Sequence, residues 1–553
     1  MKKTKIIRFL IVLTITTSLI SSYSLAHEEI GPPLDDSAIE YSVDTEQGNS
    51  HIHTAYEDSN YEEQELELSG TITNSDYKFR RVSDIDSTHN TWVERWADIS
   101  PVQQFLYKNQ GLAYAYVDDT NLHIVTPTSE FSTEKLYPIL GDVVSDDSGN
   151  FYVVWGKNNE ADTYGTETVF ISKYSDSGNL IKTTGFVGTS VMGENGNTKE
   201  PFNFGGCDSV IYRGCLIVNY ARTMYNGHQS NNVVGVYTND MTRVAFGSLW
   251  DIPYTSHSFN QKVIWSDIAD NFVYADHGDA YGRGFIISLD GDQKNIFHFY
   301  LPSNANYDMY IVNETFAQLG GLDETSEGVV LAGASVKSIG ESSNTEKQNL
   351  FVQIFDPTAR TVSKSMFVGG TDREGETSFD INDNENTPLE SVTDYGVHWL
   401  TNYTEKSVVS PQMVVCNDEI VLLWSTTEYN DSSYYIVLSS DGEIIQPIKE
   451  LKGVYLNSYE DPISYNGEVY WAYSQGGTIR VVKLGEILKG DLFTDGLVNA
   501  KDSVKLTQYL AKWKISLTDE EKKAADIVTD GLINSKDSIK LAQYLAKWNV
   551  TLD

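Results

Sequence analysis

Between about residue 80 and 486, short apolar runs rich in Tyr, Val, Ile, Trp and Thr are split by Gly, Asn and Asp. Runs of this length and composition read as strands separated by turns, and no stretch there shows the period of a helix. A turn followed by an apolar strand recurs seven times, at 111–116, 149–155, 214–220, 271–275, 328–332, 419–424 and 467–471. A second strand follows most of them, at 169–174, 233–238, 285–289, 351–355, 435–439 and 479–484. Units of roughly four strands and about 40–60 residues describe propeller blades, whose ring leaves only short edges unprotected. The pattern therefore predicts a mostly all-β chain: a β-propeller of about seven blades over 80–486. A pair of β-sandwiches is the rival fold, disfavoured because one repeat type covers the whole region. The long interval before residue 419 has room for an eighth blade or an acidic insertion, and 372–384 reads as the insertion.

Helical spacing enters only at the end. Leu506, Tyr509, Leu510 and Trp513 recur with that period, and Leu541, Tyr544, Leu545 and Trp548 repeat them. The stretches 495–513 and 530–548 are near-copies at a constant offset of 35 residues, so this end is a duplication. Each copy reads as a calcium loop entering a helix. Asp491, Asp495, Asn499 and Asp502 fall at loop positions one, five, nine and twelve, with Gly496 at six; Asp526, Asp530, Asn534, Asp537 and Gly531 repeat the set. Calcium takes six to eight oxygens, and glycine at position six permits the sharp turn that lets them converge. Leu497 and Leu532, at position seven, would contribute backbone carbonyls. Between the copies, Thr518, Asp519, Glu520 and Glu521 form a capping box that opens a linking helix.

Twin loop–helix units joined in this way resemble a type I dockerin over 488–553, an α-helical module with paired EF-hand-like loops. The resemblance implies two calcium ions and a cohesin partner on a scaffoldin of cellulosome type. The matching contact positions are Ala500, Lys501 and Lys512, or their duplicates Ser535, Lys536 and Lys547; either copy could dock. One departure stands out. Loop position three, ordinarily Asn or Asp in the family, is Phe493 in one copy and Val528 in the other. Neither has a side-chain oxygen, so each site loses a ligand.

The amino-terminal end has a different character. Lysines and an arginine precede an apolar run at 9–20 and a small-residue site ending at Ala26, the layout of a cleaved signal peptide over 1–26. No later stretch is apolar and long enough to span a bilayer, so a secreted, extracellular location is expected, and the dockerin resemblance implies attachment to a cellulosome. Residues 27–79 are acidic and poor in aliphatics, the composition of a flexible arm. The formal charge of −38 disfavours nucleic acid and anionic lipid, and suits solubility, calcium or a neutral polysaccharide partner; the dockerin resemblance implies that the polysaccharide is plant polysaccharide. Cys207, Cys215 and Cys416 form no disulfide framework: a hairpin turning at Arg213-Gly214 sets Cys207 opposite residue 220.

Candidate chemistry lies in three propeller loops expected on one face. One, around 222–232, holds Arg222 and His228; the blade-to-blade loop at 256–261 holds His257; the third, at 276–284, holds Asp276, His277, Asp279 and Arg283. Asp276 or Asp279 would serve as acid or base, and the histidines as base or ligands to a divalent metal. Arg222 and Arg283 would bind a carboxylate or sugar hydroxyls. Hydrolysis needs paired carboxylates, whereas β-elimination from a uronate needs a base and charge neutralisation. Trp399 reads as part of another blade-to-blade loop and as a further residue able to stack on a sugar ring. A non-catalytic propeller that binds polysaccharide or protein is the competing function.

Overall fold

The computed structural model describes residues 56–57, 61–66, 97–108, 111–188, 196–246, 253–278, 284–290, 292–298, 317–336, 347–358, 366–367, 377–378, 387–388, 397–427, 432–475, 478–484, 489–493, 498–517, 519–528, 531–548 and 550–552. The signal peptide, most of the acidic arm, the 372–384 insertion except 377–378, and Asp279, Arg283, Asp495, Leu497 and Asp530 lie outside them. The described residues divide into two compact units, one within 43–485 and one within 486–553.

The large unit is a seven-bladed β-propeller. Its first strands are Val102–Leu106, Ile139–Ser145, Cys207–Tyr212, Ser258–Ser266, Gln318–Thr325, Val408–Cys416 and Ile463–Tyr465. Each begins an antiparallel meander, and neighbouring first strands touch one another in cyclic order, the last against the first. These are the inner strands of blades 1 to 7. Side chains alternate across each blade, so both faces pack against the adjoining blades. One such interface holds Val153, Trp155 and Phe170 against Phe105, Ala113 and Ile124; another holds Trp424 and Ile436 against Val330 and Val352.

The hairpin of blade 3 follows from its turn. Arg213 and Gly214 both have positive φ, 48° and 76°, the type I′ geometry that matches strand twist. The resulting register pairs Cys207 with Tyr220 and Tyr212 with Cys215, and none of the three cysteines forms a disulfide. The fourth strand of this blade is reduced to a single bridge between Val236 and Arg243.

Two expectations are corrected. Residues 61–66, which fall within the acidic stretch read as a flexible arm, form the outer strand of blade 7, antiparallel to Thr478–Leu484. Tyr61 and Leu66 pack against neighbouring core clusters, Glu65 pairs with Arg480 at 2.9 Å, and the Tyr473 hydroxyl donates to Glu63 at 2.5 Å. A rim strand needs few aliphatics, because its outer face meets water. Trp399 sits not in a loop but in the short fourth strand of blade 5, buried edge-on against Phe351.

The carboxy-terminal unit has its own core of Leu492, Leu506, Leu517, Ala525, Ile527 and Leu541. Helix α1 spans Ala500–Leu510, α2 Asp519–Ala525 and α3 Ser535–Leu545. Of the apolar period read from the sequence, Leu506 and Leu541 are buried and Tyr509, Leu510 and Leu545 partly buried, whereas Trp513, Tyr544 and Trp548 are exposed. Lys512 and Lys547 end the two long helices in left-handed conformation, at φ 55° and 56°. No helix among the described residues is long and apolar enough to cross a membrane.

Candidate functional site

In the carboxy-terminal unit the two copies fold alike. Asn499 and Asn534 are the N-caps of α1 and α3, each accepting from the amide two residues on at 2.9 Å. Asp502 and Asp537 complete the capping boxes and are fully buried. Asp502 accepts from the amides of Leu492, Phe493 and Asn499 at 2.9, 3.2 and 2.8 Å. Asp537 accepts from Val528 at 2.9 Å and Asn534 at 2.7 Å. Asp526 accepts from the amide of Gly531, whose φ of 75° makes the loop turn. Burial pushes the Asp502 carboxyl up, and the nearby Asp491 charge adds to it. A hard cation would relieve that repulsion, so the oxygen set suits calcium. The matching position-seven residue Leu532 is exposed, and its carbonyl accepts from the Asn534 side-chain Nδ2 at 3.0 Å. Ala500, Lys501, Lys512, Lys536 and Lys547 are exposed and Ser535 half-buried.

The propeller candidates separate into three settings. Arg222, at the end of the second strand of blade 3, is fully buried. Its guanidinium donates to the carbonyls of Gly188 and Gly196, to Ser230 Oγ at 3.0 Å and to Thr198 Oγ1 at 3.4 Å. Burial lowers its pKa to about 10. The arginine thus ties a loop to its blade. His228 lies beside it: Nε2 is 3.0 Å from Ser256 Oγ, and its ring is 4.9 Å from that of His257. Burial, then the Arg222 charge, lowers the His228 pKa, which keeps the imidazole neutral.

Asp276 and His277 are adjacent in one strand and so face opposite sides of blade 4. Asp276 is buried, accepts from Ser258 Oγ at 2.5 Å and Gln261 Nε2 at 3.4 Å, and burial pushes it up to about 8. His277 packs edge-on between the rings of Phe259 and Phe285, at 6.1 and 5.8 Å. Among the described residues Arg222, His228 and His257 come together, while Asp276 and His277 face opposite sides of blade 4. No group of three or more His, Cys, Asp or Glu side chains among the described residues could hold a metal ion.

The sequence reading missed the propeller's axis. A cavity of about 810 Å³ is lined by inner strands of blades 1 to 4 and by residues 459–463 ahead of blade 7. Asp142, Asp208, Lys262, Glu460 and Asp461 all line it. Lys262 Nζ lies 2.7 Å from both Asp461 oxygens. Burial works against the Lys262 ammonium, and Asp461 and Asp208 more than offset it, leaving its pKa raised. Asp142 accepts from the Val143 amide and from Ser209 Oγ, and Asp208 from the Val263 amide of blade 4 at 2.7 Å. Burial pushes Asp142 up to about 6 and Asp208 up to about 8; burial with Asp142 and Asp461 raises Glu460 well above the carboxylate range. At neutral pH burial thus favours the protonated form of Asp208 and Glu460 beside an ion pair, a set able to donate and accept protons toward a hydroxylated ligand. The signal was a polar residue inside a short inner strand, as in Gly141-Asp142-Val143 and Cys207-Asp208-Ser209.

Residues 489–546 match the dockerin type I domain. No curated protein matches the chain. Among solved structures, the chain is similar to polysaccharide lyase Uly1, at 9% identity and a TM-score of 0.39, covering 76% of this chain and all of that one. It is also similar to the β-propeller domain of the Trilobed protease from Pyrococcus furiosus, at 9% identity and TM-score 0.35, covering 70% and 95%. The Hadza microbial sialidase Hz136 matches at 10% identity and TM-score 0.30, covering 65% of this chain and 66%, just under two thirds, of its own. Likenesses this weak decide nothing about what the propeller does. The chain carries a seven-bladed β-propeller and, at residues 489–546, a type I dockerin domain.

Proposed function

We propose that this chain is a secreted subunit that docks through its dockerin onto a cohesin of a cellulosome-type scaffoldin and brings its propeller to plant cell-wall polysaccharide. The observation that carries the reading is the duplicated dockerin, with both helices capped alike and equivalent residues exposed on each. Asp491, Asn499 and Asp502 would hold one calcium ion and Asp526, Asn534 and Asp537 the other, joined by Asp495, Leu497, Asp530 and Leu532. Calcium, when bound, crosslinks the loop to its helix. Ala500, Lys501 and Lys512, or Ser535, Lys536 and Lys547, would meet the cohesin. The test compares the full chain with a chain ending at residue 484 on immobilised cohesin in calcium. Binding by the shortened chain overturns the docking reading.

For the propeller, hydrolysis or β-elimination is favoured over passive binding by the carboxyls that converge in the axial cavity. Asp208 and Glu460, held protonated, are suited to a general acid's part. Plant polysaccharides would be incubated with the wild type and with Asp208→Asn and Glu460→Gln. New reducing ends lost in the variants support hydrolysis; unsaturated uronate absorbance points to elimination. Retention on a polysaccharide with neither signal makes the propeller a binding subunit.

A further inference from the structure

Every cation on the wall of the axial cavity is already held by a carboxylate. Three described lining residues are cationic: Lys108, Arg213 and Lys262. Lys262 is largely buried, with its ammonium on both oxygens of Asp461. Nearer the solvent, Lys108 pairs with Asp176 at 3.3 Å and Arg213 with Asp270 at 3.0 Å. Against these three the wall carries six carboxyls, because Asp146 and Asp147 join Asp142, Asp208, Glu460 and Asp461. Even with Asp208 and Glu460 protonated, the other four outnumber the cations. A carboxylate brought in by a ligand would meet like charge, and would have to displace a carboxylate already in place.

An aromatic stack borders the same cavity. Tyr212 ends the inner strand of blade 3 and lines the cavity. Trp265, in the neighbouring inner strand of blade 4, stacks on it with 4.0 Å between ring centroids and 14° between planes. Asp267 accepts from Trp265 Nε1 at 2.9 Å and from the Tyr212 hydroxyl at 3.3 Å, so one oxygen holds both rings. Phe272 meets Trp265 edge-on at 5.1 Å, and the Arg213 guanidinium lies 5.0 and 5.3 Å from the two centroids. The rings are thus fixed in place, yet each is only half-buried. Rigid Tyr and Trp surface offers contact area at low entropic cost, apolar enough for the C–H side of a sugar ring. The stack lies at the turns that join first to second strands. The sequence-predicted loops 222–232 and 276–284 leave the other end of the second strands and so lie on the opposite face.

We propose that the axial cavity binds a neutral glycan, with a sugar ring against the Tyr212–Trp265 stack, and rejects uronate chains. The proposal rests on the reading of the propeller as a unit that engages polysaccharide, and narrows it to one substrate class. β-Elimination, which acts on uronates, falls outside the chemistry of such a cavity.

The experiment is titration calorimetry of the full chain with oligosaccharides of xyloglucan, galactomannan and methyl-esterified galacturonan, and with the de-esterified form of the last, which differs from it only in charge. Salt near 0.15 M shortens the reach of remote surface charge to about 8 Å. At least one neutral oligomer should bind, with the acidic one at least about tenfold weaker. Tyr212→Ala should weaken the neutral ligand about tenfold, and Tyr212→Phe, which keeps the ring, should recover most of the loss. Asp147→Lys, at an exposed position on the cavity wall, should narrow the gap between neutral and acidic ligands. Glu160→Lys makes the same charge change at an exposed site away from the cavity and should leave the gap as it was. Equal or tighter binding of the acidic oligomer, unsaturated uronate absorbance on incubation with it, no effect of Tyr212→Ala, or equal effects of the two lysine variants each overturns the inference while the polysaccharide reading stands. No binding of any oligomer by the wild type overturns both.

Discussion

Asp276→Asn separates a buried structural carboxyl from an ionised one. Asp276 is folded at a pKa of about 8 against an ordinary 3.8, and burial is the first cause. A raised acid binds its proton in the folded state where the unfolded chain has lost it. Its contribution is therefore fully present below pH 4 and drains away as pH rises through 8. At about 1.4 kcal/mol per pH unit, roughly 4 kcal/mol is lost between pH 4 and 7, an upper bound for a site that can relax. Asparagine carries no such dependence. It keeps an oxygen for Ser258 but turns an amide N–H toward donors, at a cost of about 1–3 kcal/mol at every pH. The unfolding curves should cross: wild type more stable at pH 5, the variant equal or ahead at pH 8 to 9. Denaturant unfolding followed by tryptophan fluorescence reads this directly, since Trp155, Trp424 and Trp471 are fully buried in the blades. Asp142, Asp208 and Asp323 are raised too, but they are common to both proteins and cancel in the difference. Parallel curves at all pH values refute the reasoning.

Removing residues 1–66 deletes the outer strand of blade 7 and should lower the unfolding midpoint and promote aggregation through the bared Thr478–Leu484 edge, whereas removal of 1–55 should do neither; light scattering and thermal melts decide. Lys262→Met leaves Asp461 without its ammonium and should destabilise the propeller toward the lower end of about 3–5 kcal/mol, because Asp461 is a third exposed. Asp537→Ala removes the second capping box and should cost about 1–2 kcal/mol of local helix stability in chelator, seen as faster exchange in Ser535–Leu545.

Strand–turn punctuation made the seven blades legible, because each blade's second strand is a near-continuous apolar run between turns. The turn at Arg213-Gly214 was legible for the same local reason, and it set the register that keeps Cys207 from Cys215. The rim strand at Tyr61–Leu66 was not, because its partners Tyr473 and Arg480 lie some four hundred residues away and only closure of the ring brings them together. The dockerin loops were legible from spacing, since all their oxygens come from one short segment. What spacing could not show is the 2.7 Å contact of Lys505 with Glu521, which needs the linking helix folded back onto the loop.

The same distinction bears on which carboxyls could do chemistry. Adjacent inner strands are not joined by backbone ladders, and side chains make many of the ties between blades. Asp208 accepts from Val263 of the next blade, Asp323 from Val415 of the next, and Gln104 from Ala472 of the blade before. A carboxyl with both oxygens engaged in such ties is fixed by the fold and has fewer lone pairs left for a substrate. Asp323 accepts at both oxygens, from the Glu324 and Val415 amides, and Asp276 at both, from Gln261 and Ser258. Asp208 lines the axial cavity with only Oδ2 engaged, and Glu460 lines it with no side-chain hydrogen bond among the described residues. Desolvation raises all four alike, so a raised pKa cannot tell a tie from an acid; the unengaged oxygen can, and it points to Asp208 and Glu460 ahead of the loop aspartate that the sequence made most conspicuous.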